Sequence, residues 1–167
     1  NQVIMGTLHR GVITLKRSFF HILNSSTTDN KIETSIIPIS AFQENDGTFW
    51  FGTGGFGLCR YDEKNETQTL IPATNGMRVS AICQFDNENL LITDRTQGLF
   101  LFNKRTGSIK PASFLEKAGI TISSSRLTHL QAITTPDGDI MLFNCNGRHL
   151  IYRHLTAQVH EIQLQMN

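Results

Sequence analysis

The sequence predicts an all-β fold made of repeated four-stranded units, and three observations carry that prediction. Short runs of β-branched and aromatic residues, such as Phe49-Trp50-Phe51, Leu90-Leu91-Ile92 and Ile140-Met141-Leu142-Phe143, recur between turn residues, as buried strands do. Turn chemistry returns between the first and second strand of each unit, at Asp46-Gly47, Asn87-Glu88-Asn89 and Asp137-Gly138. A glycine opens each third strand, at Gly11, Gly57, Gly98 and Gly147, which lie 46, 41 and 49 residues apart. A period of about 45 residues with four short strands per unit is the signature of a β-propeller.

The elements follow in chain order. Residues 3–7, 11–15 and 19–23 read as the second, third and outer strands of a first blade that lacks an inner strand. The second blade has an inner strand at 39–44, a turn at Asp46-Gly47, a second strand through Phe49-Trp50-Phe51-Gly52-Thr53, a third opening at Gly57 and an outer strand at 68–71. The third blade repeats this order with an inner strand at 79–85 and an outer strand near 108–110. The fourth runs from 127–133 to an outer strand at 158–164. The expected blades are therefore 1–23, 39–71, 79–110 and 127–164 of one propeller segment spanning 1–167.

Asp-Gly is expected to supply positive φ at a two-residue hairpin turn, and the glycine before each third strand to turn the chain without a Cβ clash. Trp50 is expected to be buried between blades. Two connections are long, 24–38 and 111–126, and Phe114-Leu115-Glu116-Lys117-Ala118-Gly119 in the second predicts one helical turn ended by glycine. Too few residues follow 164 to form the missing inner strand, so the terminal blades are expected to pack on the rest of a longer chain or on a second copy.

Composition narrows the function. Lys and Arg number 15 against 14 Asp and Glu, a formal charge of +1, and no run of like charge points to a nucleic acid or a membrane surface. The apolar runs are far shorter than the roughly 20 residues of a membrane span. The first residues, Asn1-Gln2-Val3-Ile4, carry neither an initiator Met nor a signal-peptide profile, as expected of an excised or processed piece. Cys59, Cys83 and Cys145 form no C-x-x-C pair, and an odd count is no closed disulfide framework.

The best copy of the repeat, Asp46-Gly47-Thr48-Phe49-Trp50-Phe51-Gly52-Thr53 followed by Gly57-Leu58-Cys59-Arg60-Tyr61-Asp62, resembles the propeller repeats in the periplasmic sensor region of bacterial hybrid two-component regulators. Those repeats read D-x-D-G-x-[LI]-W-[IV]-G-T and then G-L-x-[RK]-[YF]-[DN]. Thr93 and Gly98-Leu99 hold in the next copy and Asp137-Gly138 in the last. The resemblance spans essentially the whole chain, although only one copy is specific. It implies a larger propeller of the seven-bladed type, a periplasmic setting in a membrane-anchored sensor, recognition of a ligand that is often a glycan, and kinase activity in domains outside this chain.

Catalytic and cofactor motifs do not survive comparison with the repeat. Gly52-Thr53-Gly54-Gly55-Phe56-Gly57 satisfies G-x-G-x-x-G, but a dinucleotide site needs a helix after it and a strand follows here. Asn45 to Trp50 approximates a sialidase Asp-box, yet the repeat turn fits better; Tyr61 and Tyr152, the only tyrosines, are explained by packing in third strands. His9, His21, His129, His149, His154 and His160 lack metal-ligand spacing. Ser123-Ser124-Ser125 has no nucleophile-elbow context. The expectation is a non-enzymatic module with no cofactor and no metal.

In a propeller the loop between the second and third strands and the connection into the next inner strand share one face. That face is expected to receive His9 and Arg10, the segment Gly54-Gly55-Phe56, Arg78, Arg95, Gln97, Asn146 and Arg148. Arginine and amide groups around a concave surface suit hydroxyl-rich or carboxylated ligands such as oligosaccharides. The competing reading is a structural or protein-interaction propeller, because fold does not fix function.

Overall fold

The computed structural model describes residues 2–7, 11–16, 19–23, 37–65, 67–120, 130–145 and 148–162. Within them the chain is all-β. Three strands, β1 (Gln2–Thr7), β2 (Gly11–Lys16) and β3 (Phe19–Leu23), form a first antiparallel sheet. The second sheet comprises β4 (Pro38–Gln43), β5 (Phe49–Thr53), β6 (Leu58–Asp62) and β7 (Thr67–Leu70). The third comprises β8 (Val79–Gln84), β9 (Asn89–Asp94), β10 (Gly98–Asn103) and β11 (Ile109–Pro111). The fourth comprises β12 (Gln131–Thr134), β13 (Ile140–Cys145), β14 (Arg148–Arg153) and β15 (Gln158–Ile162). Each of these three is a simple up-and-down meander of four antiparallel strands, and the strand bounds fall within a few residues of those expected, with 127–129 and 163–164 of the expected fourth unit lying outside the described residues.

The first strands of successive sheets lie side by side, β8 against β4 and β12 against β8. The second strand of each sheet also meets the first strand of the next, as β5 meets β8 and β9 meets β12. β1 contacts β4 in the same way, which gives it the place of a second strand.

Strand register defines which face packs on which neighbour. Phe42 pairs with Trp50 and Trp50 with Arg60 across the second sheet; the equivalent rows are Cys83–Leu91–Leu101 in the third and Ile133–Met141–Ile151 in the fourth. Successive side chains on a strand point to opposite faces. The Trp50 row therefore packs on Ile82, Leu90, Ile92 and Phe102 of the third sheet, and the Cys83 row packs on Ala132, Ile140, Leu142 and Leu150 of the fourth. In the fourth sheet the row faces outward, and Ile133 is 48% exposed.

Trp50 is buried as expected, its ring meeting Phe102 edge to face at 5.4 Å. The Arg60 guanidinium lies 6.0 Å from the indole centroid, a cation–π arrangement. The indole N–H donates to the Glu44 carboxylate, which also pairs with Lys104 of the third sheet at 2.6 Å.

The Asp-Gly turns differ from expectation in length. Gly47 N–H donates to Glu44 O and Glu44 N–H to Thr48 O, and Gly138, Thr135 and Asp139 repeat the pattern. The loop thus has three residues, a type I turn closed by a glycine at φ +92° or +84°. That is the form a type I turn takes when a left-handed residue must restore the strand twist. Gly57 has φ +76°, and a Cβ there would lie 2.1 Å from Thr74 O, so both torsion and space demand glycine.

The helical turn is α1 (Phe114–Lys117). Ile120 N–H closes on Leu115 O and Gly119 N–H on Glu116 O, with Gly119 at φ +74°, a glycine-terminated Schellman cap. Cys59, Cys83 and Cys145 are free and buried. Burial pushes the Cys59 thiol up to about 11 and that of Cys83 up to about 12, so neither supplies a reactive thiolate near neutral pH.

Candidate functional site

In the second and third sheets the loop between the second and third strands is held by one side chain. In the second sheet, Thr53 Oγ1 donates to Gly57 O at 2.8 Å and accepts from Phe56 N–H at 2.9 Å. In the third, Asp94 takes that place: it pairs with Gly98 and Val79, as Thr53 adjoins Gly57 and pairs with Pro38. The structural counterpart of Thr53 is therefore Asp94 and not Thr93, which falls opposite Ala81 and Leu99. Both first strands bulge at the same place, Ile39 and Ser80, and Thr53 and Asp94 each stand four residues before the glycine that opens the third strand, Gly57 and Gly98.

Asp94 is almost wholly buried and gathers the site. Its Oδ1 accepts from Thr96 N–H, the Thr96 hydroxyl and Gln97 N–H, and its Oδ2 from Arg78 N–H at 2.7 Å. Arg95 N–H donates to Arg78 O at 3.1 Å. Burial of Asp94 raises its pKa, but the four donors from Thr96, Arg78 and Gln97 outweigh that and hold it below its ordinary value.

The structure thus brings together three of the residues expected at this face. Arg78, Arg95 and Gln97 share one hydrogen-bonded knot, and all three side chains are exposed. Gly54 bridges Arg78 across the sheets, placing the exposed Phe56 in the adjoining turn. Arg148 opens β14 at the corresponding end of the fourth sheet and forms an exposed ion pair with Glu161 at 3.4 Å. His9, Arg10 and Asn146 lie outside the described residues, as do His129, Gly147 and Ser123-Ser124-Ser125. Among the described residues no group of His, Cys, Asp and Glu side chains is placed to hold a metal ion.

The backbone of the face is fixed while the side chains of Arg78, Arg95 and Gln97 are exposed. Leu58 N–H donates to Thr74 Oγ1, Thr74 Oγ1 donates to Ile71 O, and Gly57 N–H donates to Met77 O. Two guanidinium groups, an amide and an aromatic ring on such a frame can hydrogen-bond hydroxyls or carboxylates and cover an apolar ring face. A second concave feature lies between the third and fourth sheets, at Phe85, Phe114 and Tyr152. These residues come from three distant segments, so no local motif could have announced them.

No known protein family matches the chain, and no curated protein matches it. Solved structures do. The extracellular domain assigned to the hybrid two component system BT4673 of B. thetaiotaomicron superposes with a TM-score of 0.64 at 16% identity, over 98% of this chain and 21% of that one. The extracellular domain assigned to the hybrid two component system BT3049 of the same organism gives 0.63 at 15%, over 97% and 23%. An auxiliary nutrient binding protein from Bacteroides ovatus gives 0.68 at 9%, over 98% and 39%. The chain thus spans between about a fifth and two fifths of those structures. The likeness is one of fold, to extracellular sensor and nutrient-binding proteins. Among the described residues no helix is long and apolar enough to cross a membrane.

Proposed function

We propose that this chain is a β-propeller segment in the extracytoplasmic, periplasmic sensor region of a two-component regulator, recognising oligosaccharide fragments on its loop face. The knot of Arg78, Arg95 and Gln97 around Asp94 carries the reading: a buried carboxylate is spent on holding loop backbone, which leaves exposed hydrogen-bonding side chains on a rigid frame. The extracellular sensor and nutrient-binding neighbours support it. The sheets are its blades, at 1–23, 39–71, 79–110 and 127–164, and kinase activity belongs to domains elsewhere. His9, Arg10, Asn146 and Arg148 complete the face by their place in the repeat.

The outward row Ile133–Met141–Ile151 supports a further blade of a longer chain. It is register-equivalent to the two rows that pack on a following sheet, and an apolar face of this kind is ordinarily covered. A glycan array followed by calorimetry tests the function. Arg78→Ala/Arg95→Ala should weaken the best oligosaccharide at least tenfold with melting temperature unchanged. Unaltered affinity would remove the loop face from the function, and an array without a binder would favour a protein-interaction propeller.

A further inference from the structure

A cleft of about 330 Å³ lies between the third sheet, α1 and the fourth sheet. Phe85, at the end of β8, stands 5.8 Å from Tyr152 with rings 16° from parallel. Phe114 of α1 lies 5.6 Å from Phe85 and 4.5 Å from Tyr152. All three rings are half-buried. Lys110 of β11 and Lys117 of α1, both exposed, line the same cleft with Ser113.

The rings pack on one another, and the His154 imidazole meets Phe85 at 4.6 Å and Tyr152 at 5.0 Å edge to face. The part of the aromatic surface that stays exposed beside two ammonium groups suits a ring with an apolar face and an anionic substituent. The lysines oppose a cationic guest, which an aromatic cage alone would favour. A purely apolar guest would leave both ammonium groups without a partner. The volume sits at the small end of ligand pockets, roughly 300–1,000 Å³. No residue of the cleft belongs to the Arg78–Arg95 face.

We propose that this cleft is a second binding site, for an acidic saccharide whose pyranose face stacks on Phe114 and Tyr152 while its carboxylate or sulfate pairs with Lys110 and Lys117. The choice of a saccharide rests on the sensing function proposed above, whereas the place of the site rests on the cleft itself.

Calorimetry of the intact protein with trigalacturonate and a chondroitin sulfate tetrasaccharide tests it, with neutral galactotriose and phenyl phosphate as the other arms. At least one acidic oligosaccharide should bind, at least tenfold more weakly to Lys110→Ala/Lys117→Ala and to Phe114→Ala, and undiminished to Arg78→Ala/Arg95→Ala. The lysines are exposed, so their removal leaves the fold intact as a control for Phe114→Ala. No binding of either acidic glycan, equal binding of galactotriose, or affinity indifferent to the two lysines would overturn the site. Binding of phenyl phosphate alone would overturn the saccharide. Glycan binding lost only in Arg78→Ala/Arg95→Ala would leave the loop face standing and this cleft refuted.

Discussion

The layer between the second and third sheets and the layer between the third and fourth share one register and are filled in opposite ways. In the first, the row position on the second strand is Trp50, which reaches Phe102 near the outer side, while Arg60 covers its face. In the second, Leu91 holds that position, with Cys83 and Ala81 beside it and Ala132 opposite. Smaller residues leave the outer part of the gap empty, and Leu115 of α1 enters the layer from the connection. The same repeat thus gives a sealed layer or a layer with a cleft, according to the size of one residue per strand.

The largest effect should come from opening the sealed layer. Trp50→Ala removes the ring that fills it and strips the Glu44 carboxylate of its indole donor, and should cost about 3–5 kcal/mol, within the range of aromatic truncations in cores. Chemical denaturation with and without the substitution measures this. A loss below about 1 kcal/mol would mean that the sheets do not depend on this layer.

Leu115→Ala sharpens the contrast from the other side. The residue is buried, yet it belongs to a four-residue helix at the rim of the layer, where the connection can relax inward. The expected cost is about 2–3 kcal/mol, the lower part of the Leu→Ala range. A cost equal to that of Trp50→Ala would show the two layers to be equally sealed.

The repeat was legible because its turns and strands are local chemistry. Asp46-Gly47 and Asp137-Gly138 announce their turns, and Phe49-Trp50-Phe51 its strand, within a few residues. Even the helical turn at Phe114 was marked by Gly119. The loop face was half legible: Arg78, Arg95 and Gln97 could be assigned to one end of their sheets by topology. The equivalence of Asp94 to Thr53 was open to counting, since each stands four residues before the glycine of its third strand, Gly98 and Gly57, but matching threonine to threonine pointed to Thr93. That Asp94 also holds Arg78 N–H, 16 residues away, has no local mark. The cleft was illegible, since it depends on the sizes of side chains in two sheets and on a connection that the repeat does not govern.

Thr53 and Asp94 give the smallest and most specific prediction. Both close the same turn, but only Asp94 titrates. Its folded pKa lies below the ordinary 3.8, so the folded state holds its proton less tightly than the unfolded chain does. The stabilisation is therefore fully present above the ordinary value and lost as pH falls through the lowered one. Acidification should raise amide hydrogen exchange at Arg78, Thr96 and Gln97, after correction for the intrinsic pH dependence of exchange, before it does so at Phe56, which donates to the hydroxyl of Thr53. Asp94→Asn should abolish that difference in pH response, because the amide keeps an acceptor for Thr96 and Gln97 but turns a donor toward Arg78 N–H. Leaving that N–H without an acceptor costs about 1–3 kcal/mol. Equal protection of the two turns at every pH, in the parent and in Asp94→Asn alike, would show that the carboxylate does not hold this face together.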